Sequence, residues 1–319
     1  MNKYIAWLDS GDGVSAARVG GKAASLARLG AAGFPVPPGF AVTVDGYHAF
    51  HEAYRVTDLL DQLLSLTGRP TPAQVREACA PILARLESSR LPAELGAALE
   101  GAYDVLRERS GADATYAVRS SGVSEDGGKA SFAGLYESYI NLRGAEAVAD
   151  AVLRCYRCLW EPRAAHYRAI KGFDHSAEAM ATVVMQTVRS AVSGVAFTLN
   201  PVTGARDEVL INASWGLGEA IVSGMVTPDN YVARKDGTII QKDVMDKHIR
   251  VVPSAGGTVQ EPTPPALAAA PALTDEQISV VALSAAAVEV HYEVPMDIEF
   301  AFDDAGRFYL LQARPVTTH

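Results

Sequence analysis

One stretch of the sequence constrains its own fold more tightly than any other. In residues 296–315, MDIEFAFDDAGRFYLLQARP, apolar and polar residues alternate on both sides of Asp303-Asp304-Ala305-Gly306. Alternation with a period of two is typical of a β-strand with one buried face, and Asp followed by Gly favours a tight turn. The pattern therefore predicts a β-hairpin, and with it an antiparallel sheet.

Four polar side chains share one face of this predicted hairpin. Asp297 and Glu299 are two apart on the first strand, and Gln312 and Arg314 are two apart on the second. Residues two apart on a strand face the same side, so the turn brings the four near one another. Carboxylate and amide oxygens suit Mg²⁺, which is completed by water and substrate phosphates, and Arg314 suits the phosphates themselves.

The opposite face of the hairpin is expected to be the buried one. By the same parity it carries five apolar side chains: Ile298, Phe300, Phe302, Tyr309 and Leu311. The alternative for the polar face is a solvated surface with salt bridges. A site for a metal and a nucleotide is favoured over that alternative, because the core already has a face of its own.

Composition places the chain among ordinary globular proteins. Its 319 residues are 49% hydrophobic and 20% charged, which excludes a mostly disordered or fibrous chain. The net charge of −9 argues against a general nucleic-acid binder and against a protein that adheres to anionic membranes. Three cysteines, no signal-peptide core and no apolar run of about 18 residues predict a cytoplasmic protein without a membrane span.

Helical periodicity dominates the first half of the chain, and strand patterns dominate the second. In the first half we expect helices from Gly20 to near Gly33 and at 45–64, 73–88, 92–109 and 145–170, with strands at 3–8, 36–44, 115–119 and 135–142. In the second half we expect strands at 180–188, 194–199, 207–213, 229–234 and 238–244, a loop at 253–272 and a helix capped by Thr274. The sum predicts an α+β protein with two lobes, residues 1–182 and 183–319, and a site between them.

Two segments of the first half carry residues suited to phosphate. Gly20-Gly21-Lys22 opens a predicted helix, where glycine permits close approach and the helix N-terminus and lysine favour an anion. A Walker P-loop is excluded, since Ala16 and Ala23 stand where it needs Gly and Ser or Thr, and an ordinary helix start with a solvated lysine stays open. Arg119 leads from a predicted strand into a Ser/Gly-rich loop, 120–134, which suits either a lid over a triphosphate or a mobile surface loop.

Two further segments allow a weaker interpretation. Met185-Gln186-Thr187-Val188 ends an apolar strand, and an extended hinge there would offer backbone groups to adenine. Its alternative is a core strand that leaves the sheet. Cys155 and Cys158 form a lone C-x-x-C pattern inside a predicted helix, so we interpret them as buried thiols rather than as a zinc or redox site.

Taken together, the segments resemble the N-terminal ATP-binding domain of the phosphoenolpyruvate synthase, pyruvate phosphate dikinase and rifampin phosphotransferase family. The motifs occur in family order over nearly the whole chain: VGGKAASLARLGAAGFPVPPGFAVT, YAVRSSGVSEDGGKASFAGLYESYINL, VVMQTVRSAVSGVAFTLNPVTG, SWGLGEAIVSGMVTPDNYV and MDIEFAFDDAGRFYLLQARPVT. The resemblance implies an ATP-grasp fold with ATP between two lobes. It also implies a phosphotransferase that uses ATP and Mg²⁺.

The resemblance implies roles for individual residues. Lys22, Arg119 and Arg314 would be the catalytic cations on the ATP phosphates, and Glu219 would lie near the site. The residues that contact the nucleotide, including the lid and the adenine hinge, would be Lys22, Arg119, Ser131, Gly134, Met185, Gln186, Val188, Glu299, Gln312 and Arg314. The metal would be held by Glu299 and Gln312, with Asp297 nearby.

The sequence departs from the family pattern in two respects. Leu135 and Ser138 stand where members commonly carry Gln and Thr, which puts a phosphate or ribose contact in question. No segment matches the family's phosphohistidine motif or its acceptor domain, so we expect the carrier histidine on a separate domain or subunit.

In family chemistry that histidine takes the β-phosphate of ATP, AMP and phosphate are released, and a small molecule such as pyruvate or a rifamycin is the acceptor. Two alternatives stay open. One is a stand-alone ATP-grasp kinase or ligase that forms ADP, and the other is a non-catalytic module that binds nucleotide and regulates a partner.

Overall fold

The computed structural model describes residues 2–10, 14–66, 68–123 and 136–316. The chain divides into two compact units, the first formed by Met1–Ala31 and Pro38–Gln186, the second by Ala32–Pro37 and Thr187–His319. Both contain helices, and both contain a sheet whose neighbouring strands run antiparallel. This is the α+β class that the sequence predicts.

The first unit is built on a five-stranded sheet with the order β1-β2-β5-β3-β4. Its strands are β1 (Ile5–Trp7), β2 (Gly39–Val42), β3 (Tyr116–Gly122), β4 (Ser138–Leu142) and β5 (Met180–Gln186). Its helices are α1 (Ala16–Ala31), α2 (Val44–Ala53), α3 (Asp61–Leu64), α4 (Pro72–Leu86), α5 (Ala93–Ser110), α6 (Ala145–Cys158) and α7 (Pro162–Lys171), with a 3₁₀ turn at Val56–Leu59.

The main core of this unit lies between the sheet and the helices α2, α4, α5 and α6. Tyr116 and Val118 point from β3 into that core, so by strand alternation Arg119 and Ser121, at odd positions of β3 like Ala117, point to the other face. Helix α1 packs against β3 and β5. The hydrogen bonds from Ser121 to α1 place the helix on that second face.

The prediction of a single helix over 145–170 is wrong. The structure ends α6 at Cys158 and starts α7 at Pro162, which occupies the first position of the new helix. Proline lacks an N–H and clashes with the preceding turn, so it tolerates a helix start but not a helix interior.

The second unit is built on a six-stranded sheet with the order β13-β12-β6-β7-β8-β9. Its strands are β6 (Ser190–Phe197), β7 (Glu208–Trp215), β8 (Asp229–Arg234), β9 (Ile239–Asp243), β12 (Met296–Asp303) and β13 (Phe308–Pro315). A separate two-stranded ribbon consists of β10 (Ile249–Ser254) and β11 (Gly257–Pro262). The helices are α8 (Glu219–Val222), α9 (Pro265–Ala268) and α10 (Asp275–Tyr292).

The ribbon of β10 and β11 corrects the loop predicted over 253–272. Ser254 pairs with Gly257 across a two-residue turn in which Gly256 has φ 77°. Pro253 and Pro262 take part in the ribbon, because a two-stranded ribbon consists of edge strands where a missing N–H is tolerated. The high proline content hid a hairpin whose turn signal is Gly256, the turn residue with the positive φ.

Helix α10 packs on β12, β7 and β8. It begins with the cap that the sequence predicts at Thr274, and the structure shows a capping box there: Thr274 accepts a hydrogen bond from the Gln277 N–H, and the Gln277 side chain accepts one from the Thr274 N–H. In the described part of the chain, none of the helices has the length and hydropathy needed to cross a membrane.

A short segment from early in the chain completes the second unit. Residues 32–37 belong to it although the residues on either side belong to the first. The ring of Phe34 lies 6.0 Å from that of His291 on α10, and the Leu310 N–H of β13 donates to the Pro35 carbonyl at 2.8 Å.

A buried ion pair ties several segments of the second unit together. Asp229 on β8 and Lys247 are both fully buried, and Lys247 Nζ lies 2.6 Å from Asp229 Oδ1. The carboxylate also accepts from the N–H groups of Met245 and Ala272 at 2.8 and 2.7 Å, and from the Tyr231 hydroxyl at 2.8 Å. The network holds the segments on both sides of the ribbon to the sheet.

Candidate functional site

The hairpin of β12 and β13 brings together the four polar residues singled out in the sequence. Asp297 pairs directly with Arg314, and Glu299 pairs directly with Gln312. Asp297 and Gln312 are buried, whereas Glu299 and Arg314 are partly exposed. Antiparallel pairing of this kind places opposite side chains about 5 Å apart, so the four form one compact polar patch.

Within this patch Arg314 is held by Asp297. Its Nε and Nη2 lie 2.8 and 2.7 Å from the same oxygen, Asp297 Oδ2. Burial raises the pKa of Asp297 above its ordinary value, Arg314 works against that rise, and the nearby carboxylate of Glu299 adds to it. Arg314 therefore offsets only part of the cost of burying the Asp297 carboxylate, and an added cation would lower that cost further.

A β-bulge changes the other face of the hairpin from what the sequence predicts. The register shifts after Glu299, so that Phe300 pairs with Leu310, Ala301 with Tyr309 and Phe302 with Phe308. The prediction that Tyr309 and Leu311 lie on the apolar face with Phe300 is wrong for Tyr309, and Leu311 becomes the extra residue of the bulge.

Phe308 and Leu310 occupy the apolar face instead. The Phe308 ring lies 6.0 Å from that of Phe300 and 5.3 Å from that of Phe302, and Leu310 is fully buried. Alternation around the bulge is what moves them there, since one extra residue exchanges the two faces of a strand.

In the first unit, Lys22 lies on α1 and Arg119 lies on β3. Arg119 pairs with Val183 of β5 and Ser138 of β4, so the strand is held on both sides. Arg119 faces the same side of the sheet as Ser121, whose hydroxyl contacts α1 close to Lys22. The structure thus places both predicted cations on the α1 side of the sheet.

The contact between α1 and β3 is unusually close, and no sequence pattern predicted that Gly20 would meet β3 there. Gly20 interrupts α1 with φ 73° and ψ 168°, two residues before Lys22. The Ser121 hydroxyl donates to the Val19 carbonyl at 2.8 Å and accepts from the Ala23 N–H at 3.2 Å. A Cβ on Gly20 would lie 2.0 Å from the Ser121 carbonyl oxygen, so glycine is required there.

The predicted adenine hinge lies at the end of β5. Met185 is buried and pairs with Gly39, and the Gln186 N–H donates to the Pro38 carbonyl at 2.9 Å. Val188 lies in the second unit, and its carbonyl accepts from the Ser190 hydroxyl at 3.2 Å. Since Pro38 engages the Gln186 N–H, an adenine would have to use other backbone groups of this segment.

Several other predicted residues are placed less informatively. Ser131 and Gly134, as well as Leu135, lie outside the described residues. Glu219 opens α8 and accepts a hydrogen bond from Thr258 of the ribbon at 3.0 Å. In the described ranges, no cluster of three or more His, Cys, Asp or Glu side chains is arranged for a metal ion.

The interpretation of the cysteines as buried thiols is confirmed. Cys155 and Cys158 are both buried, and neither is part of a disulfide. Burial raises the pKa of Cys155 well above its ordinary value, and the neighbouring Cys158 adds to the rise. A thiol of this kind stays protonated and is a poor nucleophile or metal ligand.

Comparison with known proteins identifies a protein family that the chain matches. Residues 16–319 match the family described as "Pyruvate phosphate dikinase, AMP/ATP-binding domain". A probable phosphoenolpyruvate synthase of Pyrococcus horikoshii is 40% identical over 359 positions, which cover 99% of this chain and 44% of the relative. The phosphoenolpyruvate synthase of Pyrococcus furiosus is 39% identical with the same coverage. A rifampicin phosphotransferase of a Streptomyces species is 38% identical over 99% of this chain and 36% of its own length. The chain thus spans less than half the length of these relatives.

Proposed function

Because the chain belongs to the family of pyruvate phosphate dikinase AMP/ATP-binding domains, we propose that it binds Mg-ATP and presents it for phosphoryl transfer. The acceptor of the first transfer is a histidine on a separate carrier domain or subunit, and a small molecule receives the phosphoryl group afterwards. The observation that carries this proposal is the register of the hairpin, which sets Asp297 opposite Arg314 and Glu299 opposite Gln312.

The chemistry of the hairpin patch fits a divalent cation. Glu299 and Gln312 would hold Mg²⁺ with Asp297 beside them, because hard cations prefer carboxylate and amide oxygens. The raised pKa of Asp297 supports this fit, since it reflects first the burial of that carboxylate and then the nearby charge of Glu299, both of which a bound cation would offset. When bound, Mg²⁺ neutralises charge on phosphate oxygens.

The three predicted cations would act on the phosphates directly. Lys22, Arg119 and Arg314 would hold the phosphate chain in line with the attacking histidine nitrogen and stabilise the charge that develops. Arg314 has the planar donor fork that phosphate oxygens favour, and its contact with Asp297 fixes the orientation of that fork.

The proposed phosphoryl transfer has two steps. The histidine nitrogen bonds to the β-phosphorus, and the bond from that phosphorus to the α-phosphate oxygen breaks, so AMP leaves. Water then releases the terminal phosphate, and the carrier keeps a phosphohistidine. The protein's own contribution is to position and neutralise the phosphates, which matches a site made of cations rather than of nucleophiles.

The remaining contacts extend the same proposal. We propose that the chain has the ATP-grasp fold, with residues 1–182 and 183–319 as its lobes and ATP between them. Ser131 and Gly134 would belong to a lid over the phosphates, and Met185, Gln186 and Val188 would line the adenine. The five-stranded and six-stranded antiparallel sheets support this assignment. We also propose that the protein works in the cytoplasm.

Two measurements test the proposed function. Calorimetry should show binding of ATP in the presence of Mg²⁺, and Glu299→Gln should weaken it by about ten-fold or more, because the variant keeps the size of the side chain and loses its charge. Glu276→Gln is the matched control: this exposed carboxylate lies in the first turn of α10 in the same unit. Equal affinities in the two variants would count against the hairpin site.

Product analysis separates the proposal from its rivals. The chain is mixed with Mg-ATP and with the histidine-bearing domain of a related phosphoenolpyruvate synthase, and adenine nucleotides are separated by chromatography. AMP that appears only with the histidine domain supports the proposal. ADP formed without it would favour a stand-alone kinase, and Mg-ATP binding without any turnover would favour a regulatory module.

A further inference from the structure

We propose that Ser121 is a positioning residue for Lys22, because its side chain caps the helical segment on which Lys22 lies. This inference rests on the proposed function, in which Lys22 meets the phosphates of ATP. The Ser121 hydroxyl lies on β3, far from Lys22 in sequence, and reaches α1 where that helix is interrupted.

Helix α1 consists of two segments that meet at Gly20. With φ 73° and ψ 168°, Gly20 is not helical, so the second segment starts afresh at Gly21 and has Lys22 as its second residue. The first N–H groups of a helix lack partners within it, and the residue before the helix normally supplies one through a side-chain oxygen. Glycine has no side chain and cannot do so.

Ser121, on strand β3, supplies the missing cap. Its Oγ accepts a hydrogen bond from the N–H of Ala23, the third residue of the restarted segment, at 3.2 Å. A serine at the N-cap position bonds to the same N–H. Ser121, Ala23 and Val19 are all fully buried, so water does not compete for these groups.

The same hydroxyl also satisfies the end of the first segment. It donates to the Val19 carbonyl at 2.8 Å. In an uninterrupted helix the Ala23 N–H would bond to the Val19 carbonyl directly, four residues back. The Ser121 oxygen stands between these two groups and joins both sides of the break.

Gly20 is the counterpart that lets β3 approach this closely. A Cβ at position 20 would lie 2.0 Å from the Ser121 carbonyl oxygen and 2.4 Å from its Oγ. Its positive φ would also strain any other residue. Gly20 and Ser121 therefore act together: the missing side chain of Gly20 lets β3 approach, and the Ser121 hydroxyl makes the hydrogen bonds at the break in α1.

The contact between Gly20 and Ser121 links Lys22 to Arg119, the two residues of the first unit that we propose for phosphate binding. Ser121 lies two residues after Arg119 on the same face of β3, and its hydroxyl holds the segment that carries Lys22. Small displacements of a positioned group cost large factors in binding and rate. Ser121 therefore sets the position of Lys22 relative to Arg119. We expect loss of the Ser121 hydroxyl to weaken binding of the ATP phosphates.

The test is Ser121→Ala, assayed by calorimetry with Mg-ATP and with adenosine. We expect the Kd for Mg-ATP to rise by about ten-fold and the Kd for adenosine, which has no phosphates, to change by less than about two-fold. Ser120→Ala is the matched control: Ser120 is equally buried on the same strand, but its hydroxyl donates to the Glu137 carbonyl at 3.1 Å instead of to α1. It should leave the affinity for Mg-ATP within about two-fold of the wild type.

A second variant separates positioning from general damage. If Ser121 acts through Lys22, then Ser121→Ala should cost less than about two-fold in a Lys22→Ala background. An undiminished loss in that background, an equal loss for adenosine, or unchanged Mg-ATP affinity in Ser121→Ala each overturns the inference.

Hydrogen exchange on the wild type keeps the test valid if Ser121→Ala does not fold. The Ala23 N–H should be as protected as the amides of β3, because its partner is buried, and rapid exchange there overturns the proposed cap. Failure of the wild-type protein to bind Mg-ATP would overturn the proposed function itself. A wild type that binds, beside a Ser121→Ala variant with unchanged affinity, would overturn the role of Ser121 alone.

Discussion

Replacement of Asp229 by Asn should destabilise the second unit by about 3–5 kcal/mol, the cost of removing one partner from a buried ion pair. The carboxylate accepts four hydrogen bonds, two at each oxygen, from Lys247 and Met245 on one side and Tyr231 and Ala272 on the other. An asparagine keeps one oxygen and turns an NH₂ group toward donors. It also leaves the Lys247 ammonium buried without a compensating charge.

Urea unfolding followed by circular dichroism measures the change in the free energy of unfolding. In a thermal scan the same loss of stability should lower Tm by roughly 10–15 °C. The matched control is Lys242→Met, which breaks the pair of Lys242 with Asp275 in the same unit. Those two side chains are 42% and 64% exposed, so the cost should stay below about 1 kcal/mol.

The double variant Asp229→Asn, Lys247→Met provides the stricter test. Its loss should be smaller than the sum of the two single losses, because the second change removes the charge that the first leaves unpaired. Additive losses, or a loss from Asp229→Asn no greater than that from Lys242→Met, would refute the reasoning that the network is a single electrostatic unit.

Three further predictions concern stability. Burial, with smaller effects from neighbouring cationic groups, lowers the pKa of His51 and His175 to about 4. Histidines of the unfolded chain take up protons near pH 6.5, so stability should fall between about pH 6.5 and 4 by on the order of 1–2 kcal/mol each, and His175→Gln should remove its share in urea titrations at several pH values. Thr274→Ala should cost about 1 kcal/mol in the same assay through loss of the α10 cap, and an unchanged midpoint would contradict the capping argument. Burial tends to raise the pKa of Asp303. Hydrogen bonds from Arg307 and from the turn outweigh that effect, so the pKa is lowered. The contribution of Asp303 should therefore be present at neutral pH and be lost as the pH falls through that lowered pKa, and Asp303→Ala should cost about 1–2 kcal/mol at pH 7 and little in strong acid.

Features that depend on nearby residues were predictable from the sequence. The hairpin at 296–315 and the cap at Thr274 each follow from residues a few positions apart, and the structure contains both. The juxtaposition of Asp297, Glu299, Gln312 and Arg314 follows from the same short-range alternation. Pro162 was an equally local signal for a helix break, and the prediction of one helix over 145–170 overlooked it.

Other features depend on contacts that a linear pattern does not show. The bulge after Glu299 exchanges the faces of Tyr309 and Leu310, and simple alternation assumes that no such shift occurs. The cap from Ser121 joins positions that are far apart in the chain, and the glycine it requires looked like part of a phosphate loop. The partners of Asp229 likewise come from three separate segments, so their convergence needed the folded structure.

The segment at residues 32–37 has a consequence for how the protein is made. It is synthesised long before its partners on α10 and β13, His291 and Leu310. All residues of the first unit precede Thr187, so that unit can fold first, whereas the second unit must recruit residues 32–37 from a part of the chain that is already synthesised. The second unit can close only when Phe34 and Pro35 are still accessible, and a gene fragment that begins at Thr187 would encode a sheet and a helix without these contacts.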